Sequence, residues 1–241
     1  MKKALLLSAL LLAPLAAKAA DAPPPGWHGS VGAGLSISSG NSDAKSYNLT
    51  FDLKHDPKTK NVLKLGALYL RSDANGATTG DKLSAFVRDE YTFSERVFAF
   101  GEVTFLRDKV ALLDSLVAPG AGIGYKLIKT ETTTLDVSAG FGAAFEKYAN
   151  RDSTSSGAIL ASEALAWKVS PSVSVTQKAS GLWKTKDTAD AYYHFEVGVA
   201  SSVSKLLELK LSWLLDHKTR PAVASLEKTD TSFLAAVVAK F

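Results

Sequence analysis

From Trp27 onward, apolar and polar residues alternate along the chain. In "YNLTFDLK", Tyr47, Leu49, Phe51 and Leu53 are apolar, and Asn48, Thr50, Asp52 and Lys54 are polar. "LDVSAGFGAAFE" repeats the pattern with Leu135, Val137, Ala139, Phe141, Ala143 and Phe145, and "LLELKLSWLL" repeats it with Leu207, Leu209, Leu211, Trp213 and Leu215. A period of two is the signature of a strand with two unlike faces. Twelve segments carry it: 27–38, 44–55, 61–72, 82–93, 96–107, 116–128, 132–147, 157–168, 172–184, 191–202, 205–216 and 230–241. Each is about twice the ~5–6 residues of an ordinary strand. Such lengths suit a tilted membrane crossing, which needs ~9–11 residues.

The connections are expected to alternate between short and long, with "SDANGATTGD", "YANRDSTSSG" and "DHKTRPAVASLEK" among the long ones. Short turns at one end and longer loops at the other mark outer-membrane barrels. None of the loops is long enough to suggest a plug. The polar phase holds small or charged residues: Ser30, Gly32 and Gly34; Gly120, Gly122, Gly124 and Lys126; Ser174, Thr176, Lys178 and Ser180. A sandwich would leave two sheet edges to protect, whereas closure removes them. The expectation is an all-β protein: a single closed antiparallel 12-stranded transmembrane β-barrel, apolar outside and polar inside. Aromatic residues near strand ends, among them Trp27, Tyr91, Trp167 and Trp183, fit interfacial belts.

Some positions break the pattern. Phe86, Phe98 and Phe100 fall on the polar phase, and Asp89 and Glu163 fall on the apolar phase. Bulges, wrong strand ends or protein contacts would each account for them.

Residues 1–19 read as a cleaved signal peptide: Lys2 and Lys3, an apolar run, then Ala17-Lys18-Ala19. Residues 20–26 form a short linker and 27–241 the barrel. The chain has 28 basic and 24 acidic residues. Cleavage after Ala19 removes three lysines, leaving 25 against 24, so the charge carries no case for a nucleic-acid partner. Cysteine is absent, which excludes disulfides and thiol chemistry. The expected location is the cell outer membrane, reached through the periplasm.

Ten charged or titratable positions are candidates for the luminal wall: Lys54, Arg88, Glu90, Lys126, Asp136, Glu146, Lys178, His194, Glu196 and Lys210. Lys45 is grouped with them. His194 shares a face with Tyr192 and Glu196, and a histidine held by a carboxylate is half of a nucleophile–base arrangement. No G-x-S-x-G elbow accompanies it, so it reads as a luminal hydrogen-bonding residue. "DANGATTGD" lacks calcium-loop spacing. No catalytic residue, metal or cofactor is expected.

Three stretches carry a family likeness. "GWHGSVGAGLSISSGNSD" resembles an opening W-x-G…G…G-N-S/T element, "PGAGIGYKLI" a central G-x-G-x-G-Y element, and "LDVSAGFGAAFEKY" the strand after it. The chain thus resembles domain of unknown function 481, the salt-induced outer-membrane proteins (YdiY-like). The resemblance implies an outer-membrane barrel and brings no substrate or catalytic residue. Phe241 and the alternating strand before it resemble the C-terminal signal read by the barrel-assembly machinery. Expected partners are outer-membrane lipid, that machinery, and small solutes or ions. The function expected is a narrow polar channel for ions or small solutes with an envelope or osmotic-stress role. A structural barrel without transport, an adhesive barrel and a lipid-modifying enzyme are the alternatives.

Overall fold

The structure is a computed structural model that describes residues 25–38, 44–149 and 151–241. Residues 1–24, which hold the expected signal peptide and most of the linker, lie outside the described residues. Twelve strands follow one another: β1 (Gly26–Ser38), β2 (Ala44–Asp56), β3 (Asn61–Ala74), β4 (Ala77–Thr92), β5 (Val97–Asp108), β6 (Leu113–Lys129), β7 (Thr133–Tyr148), β8 (Thr154–Lys168), β9 (Val173–Lys184), β10 (Asp187–Ser202), β11 (Leu207–Lys218) and β12 (Thr229–Lys240). Each pairs antiparallel with its neighbours, and β12 returns to β1 to close the barrel. β1 begins and β12 finishes at the same end, called here the terminal end; the other is the hairpin end.

The outer face shows what surrounds the barrel. Leu35 is 70% exposed, Phe141 73%, Ile123 66% and Phe233 73%. An apolar surface of this extent is not tolerated in water, and in hydrocarbon it is the expected state. Rings cluster toward both ends of this face. Trp27 packs on His55 with centroids 4.5 Å apart, and Tyr91 packs on Phe93 at 5.2 Å. Toward the hairpin end Tyr47 meets Tyr69, and Trp183 Nε1 donates to Tyr193 Oη at 2.9 Å.

The alternation of loop lengths does not hold. The expected long connection at 72–81 is a two-residue turn, because β3 runs to Ala74 and β4 starts at Ala77. Asn75 and Gly76 have φ of 50° and 80°, the left-handed pair that a tight hairpin demands. The connection at 184–190 likewise shrinks to residues 185 and 186. The polar strand ends beyond the apolar band are wet on both faces, so they lose the alternation that would announce them as strands. Among the described residues only the 219–228 connection is long, and we call it the cap. Arg151, from the β7–β8 connection, donates to the Ala222 carbonyl, and Ala222 is buried.

The pattern breaks are not bulges. Register shifts occur near Ser72, Leu106, Leu113, Lys126 and Asp187, and none falls at Phe86, Phe98, Phe100, Asp89 or Glu163. The three phenylalanines are luminal. Each pairs with a glycine: Phe86 with Gly66, Phe98 with Gly124 and Phe100 with Gly122. A Cβ on any of these glycines would strike the paired ring, so the glycines give the rings room to lie along the wall. That is the physical content of the "GAGIG" stretch on β6. Glu163 faces outward, where Gln177 Nε2 donates to its Oε2 at 2.9 Å. Gly124→Val should cost about 1–3 kcal/mol of stability by overpacking against Phe98. A smaller fraction of compact, heat-modifiable barrel after refolding in detergent would show it.

Candidate functional site: the luminal wall and its cross-ties

The lumen is neither wholly polar nor empty. Leu106, Leu113, Leu116, Leu160 and Leu182 are buried in one cluster against Tyr148 and Tyr192, and Leu70, Leu214 and Leu234 are buried in a second with Leu68. The expectation of a uniformly hydrophilic interior is corrected here. Twelve strands leave a bore that medium-sized side chains still reach across.

Charged groups are layered above and below these leucines. Nearest the hairpin end is a four-membered ring. Glu146 Oε1 meets Lys218 Nζ at 2.9 Å, and Glu146 Oε2 meets Lys184 Nζ. Asp190 closes the ring, with Lys184 at 2.7 Å and Lys218 at 2.9 Å. The Glu146 side chain is only 3% exposed. Four strands are tied together here, with two positive and two negative charges.

Next comes a strut. Lys82 of β4 reaches Asp216 of β11, almost diametrically across the barrel. Asp216 Oδ1 also accepts from Tyr192 Oη at 2.5 Å and meets His194 Nδ1 at 2.7 Å. The carboxylate beside His194 is therefore Asp216, not Glu196. With Tyr192 and Lys82 bound to the same carboxylate, the cluster reads as bracing rather than as a nucleophile–base pair.

A third layer centres on Arg88. It donates to Glu90 at 2.9 Å, to Glu102 at 2.6 Å and to Ser138 of β7 at 3.1 Å, and it lies 3.9 Å from the Phe100 ring. Lys64 meets Glu90 at 2.8 Å. Lys178 Nζ lies 5.7 Å from the ring of Phe86, bringing β9 to β4. Lys126 pairs in register with Asp136 and lies 5.8 Å from the Phe98 ring. Asp136 Oδ1 is buried without a hydrogen-bond partner.

At the terminal end the wall opens into a cavity of about 150 Å³, lined by Ser30, Thr50, Ser174, Thr176, Glu208 and Lys210. Lys210 reaches Glu196 at 3.4 Å, and Lys54 meets Asp56 at 2.9 Å at the rim. Lys45 takes the outer face, in register with Asp73. Sequence reasoning left out Lys82, Asp190, Asp216 and Lys218. Asp190 and Lys218 were placed in connections and Asp216 at the edge of one, although the β11 phase continues through Asp216 and Lys218. Among the described residues, no cluster of histidine and acidic side chains could hold a metal.

An even, closed, antiparallel barrel with an apolar outer wall, ring belts and a braced interior is a transmembrane β-barrel. Solved structures share this fold. The NanC porin superposes with a TM-score of 0.51 at 8% identity, covering 88% of this chain and 98% of that one. An outer membrane channel from Pseudomonas putida F1 gives 0.53 at 14%, covering 91% and 97%. The translocator domain of the autotransporter NalP from Neisseria meningitidis gives 0.50 at 11%, covering 92% and 90%. No curated protein matches the sequence significantly. Over residues 31–241 the sequence matches the family described as Protein of unknown function, DUF481, and the chain belongs to that family.

Proposed function

We propose that the protein is a gated, narrow channel of the outer membrane for ions or small solutes, described here in its closed conformation. The observation that carries this reading is the cavity at the terminal end, beyond which ion pairs and leucine side chains, rather than a covalent or folded domain, occupy the lumen. Salt screens buried pairs of this kind much less than exposed ones, so the ties should hold across ordinary ionic strengths. The terminal end faces the periplasm in this reading and the 219–228 cap faces outside. Conductance of the purified protein in planar bilayers tests it. Stepwise currents are expected; reproducible silence from low to high salt would remove the channel. The ring around Glu146 and the cap favour the second reading, a structural barrel without transport, and silence would leave that one standing.

Assembly is proposed to use the C-terminal strand. The Phe241 backbone closes the barrel through Gly29 N→Phe241 O at 2.9 Å and Phe241 N→Gly29 O at 3.0 Å, while its ring is 64% exposed. Phe241→Ala keeps both backbone bonds. It should lower the amount of folded barrel in cell outer membranes while leaving refolding in detergent unchanged. Equal membrane yields of the two proteins would remove the ring as a recognition element.

A further inference from the structure

The seam between β1 and β12 is unlike the other eleven. It holds four rungs, Ser30↔Lys240 to Ala33↔Val237, extended by the Gly29–Phe241 pair. Every other neighbouring pair of strands shares eleven or more. Beyond Ala33 both strands continue, yet no rung joins Gly34 and Leu35 to Ala236 and Ala235. Gly34 instead lies against the Ala235 carbonyl, so close that a Cβ would collide with it. Strand edges without ladder partners are costly in hydrocarbon. On the outer side this stretch is flanked by Leu35 and Phe233, both highly exposed.

Two features of the lumen lie behind the unzipped stretch. Leu234 of β12 is buried with Leu214, Leu70 and Leu68, so an apolar patch faces the inside of the seam. Asn48, paired with Gly34 on one side and Leu70 on the other, is 6% exposed, and its Oδ1 has no hydrogen-bond partner. A buried acceptor left unmatched is costly, and the Nδ2 of the same amide lies against Gly34 at the seam.

We propose that the β1–β12 seam beyond Ala33, at Gly34 and Leu35 of β1 and Ala235 and Ala236 of β12, is a lateral doorway between bilayer and lumen. It admits a single hydrocarbon chain ending in a hydrogen-bond donor, such as a long-chain alcohol. The chain would rest on the leucine patch and its hydroxyl would donate to Asn48 Oδ1. The route is separate from axial conduction, and either can fail without the other.

The absence of native cysteine makes the test clean. The pair Leu35→Cys and Ala235→Cys locks the seam, with a short bis-maleimide as the lock where the thiols do not oxidise directly. The pair Ala33→Cys and Val237→Cys locks a stretch already zipped and serves as control. The full barrel in phosphatidylcholine vesicles is exposed to a long-chain alcohol bearing a mid-chain diazirine, irradiated and mapped by peptide mass spectrometry. Labelling of Leu70 and Leu214 is expected in the unlocked protein and in the control lock, and only background in the 35–235 lock. Outer residues such as Phe141 should label in all three. Asn48→Leu should reduce luminal labelling about fivefold, the equivalent of one hydrogen bond. Luminal labelling that survives the lock, or none in the unlocked protein, would overturn the doorway. Cysteine-linked dimers from either single variant would also overturn it, by showing a second chain at that edge.

Discussion

Glu146→Gln is expected to lower the unfolding free energy of the barrel by about 3 kcal/mol, the scale of breaking a buried ion pair from one side. Glu146 is almost fully buried and meets two lysines, one on each carboxylate oxygen. The neutral amide leaves Lys184 and Lys218 sharing Asp190 alone, and the ring goes from balanced to a net positive charge. Water cannot easily reach the two ammonium groups, since the Lys184 and Lys218 side chains are only 13% and 18% exposed. Unfolding in guanidinium, followed by tryptophan fluorescence in detergent, measures the change as a lower midpoint. Adding Lys184→Met restores charge balance and should recover more than half of the loss, a coupling typical of groups in one network. An exposed pair behaves otherwise. Lys58, 43% exposed beside Asp56, should cost no more than about 1 kcal/mol when replaced by alanine. Equal losses at Glu146 and Lys58 would mean that the lumen is as wet as the rim.

The outer wall was the most legible part of the sequence. It must be apolar at every second residue through the hydrocarbon, and lipid imposes that rule on each strand alike. Tyr47, Phe51, Leu135, Phe141, Leu209 and Trp213 display the rule, and all lie on strands. Strand ends beyond the lipid were less legible. Thr78, Thr79 and Asp187 belong to strand ends wet on both sides, and their polar, turn-prone side chains read as loops. The lumen was legible in phase but not in contacts. Register alternates the face without naming which distant strand a side chain will meet. That depends on stagger and tilt around the closed wall, so nothing local in "DKLSAF" or "LLDHK" announces that Lys82 and Asp216 meet. The luminal phenylalanines carried a readable trace: each stands opposite a glycine in the paired strand. Recognising it requires the strand pairing first. The seam was invisible, because "GAGLS" and "FLAAVV" both look like ordinary strand.

Lys82→Ala and Asp216→Asn are expected to shift ion selectivity in opposite directions. The strut between them crosses the lumen, and both side chains are about nine-tenths buried. Without the lysine, Asp216 keeps its bonds from Tyr192 and His194 and leaves one uncompensated negative charge at that level of the lumen. Cations gain there, because a ring or point of acidic charge lowers their barrier in a low-dielectric bore. Without the carboxylate, Lys82 remains positive and anions gain. Both variants also lose the span, so both should show larger unit conductance than the native barrel. Reversal potentials under a salt gradient give the sign directly, and single-channel records give the step size. The two readouts separate the explanations. Larger steps with no change in reversal potential would place the constriction elsewhere, at the Arg88 layer or the cap. Opposite reversal shifts with unchanged step size would make the pair a selectivity element beside an already open path. Neither change in either variant would make the strut a brace in a barrel that conducts nothing. That outcome, joined to a stability loss in Lys82→Ala, would favour the structural reading over the channel.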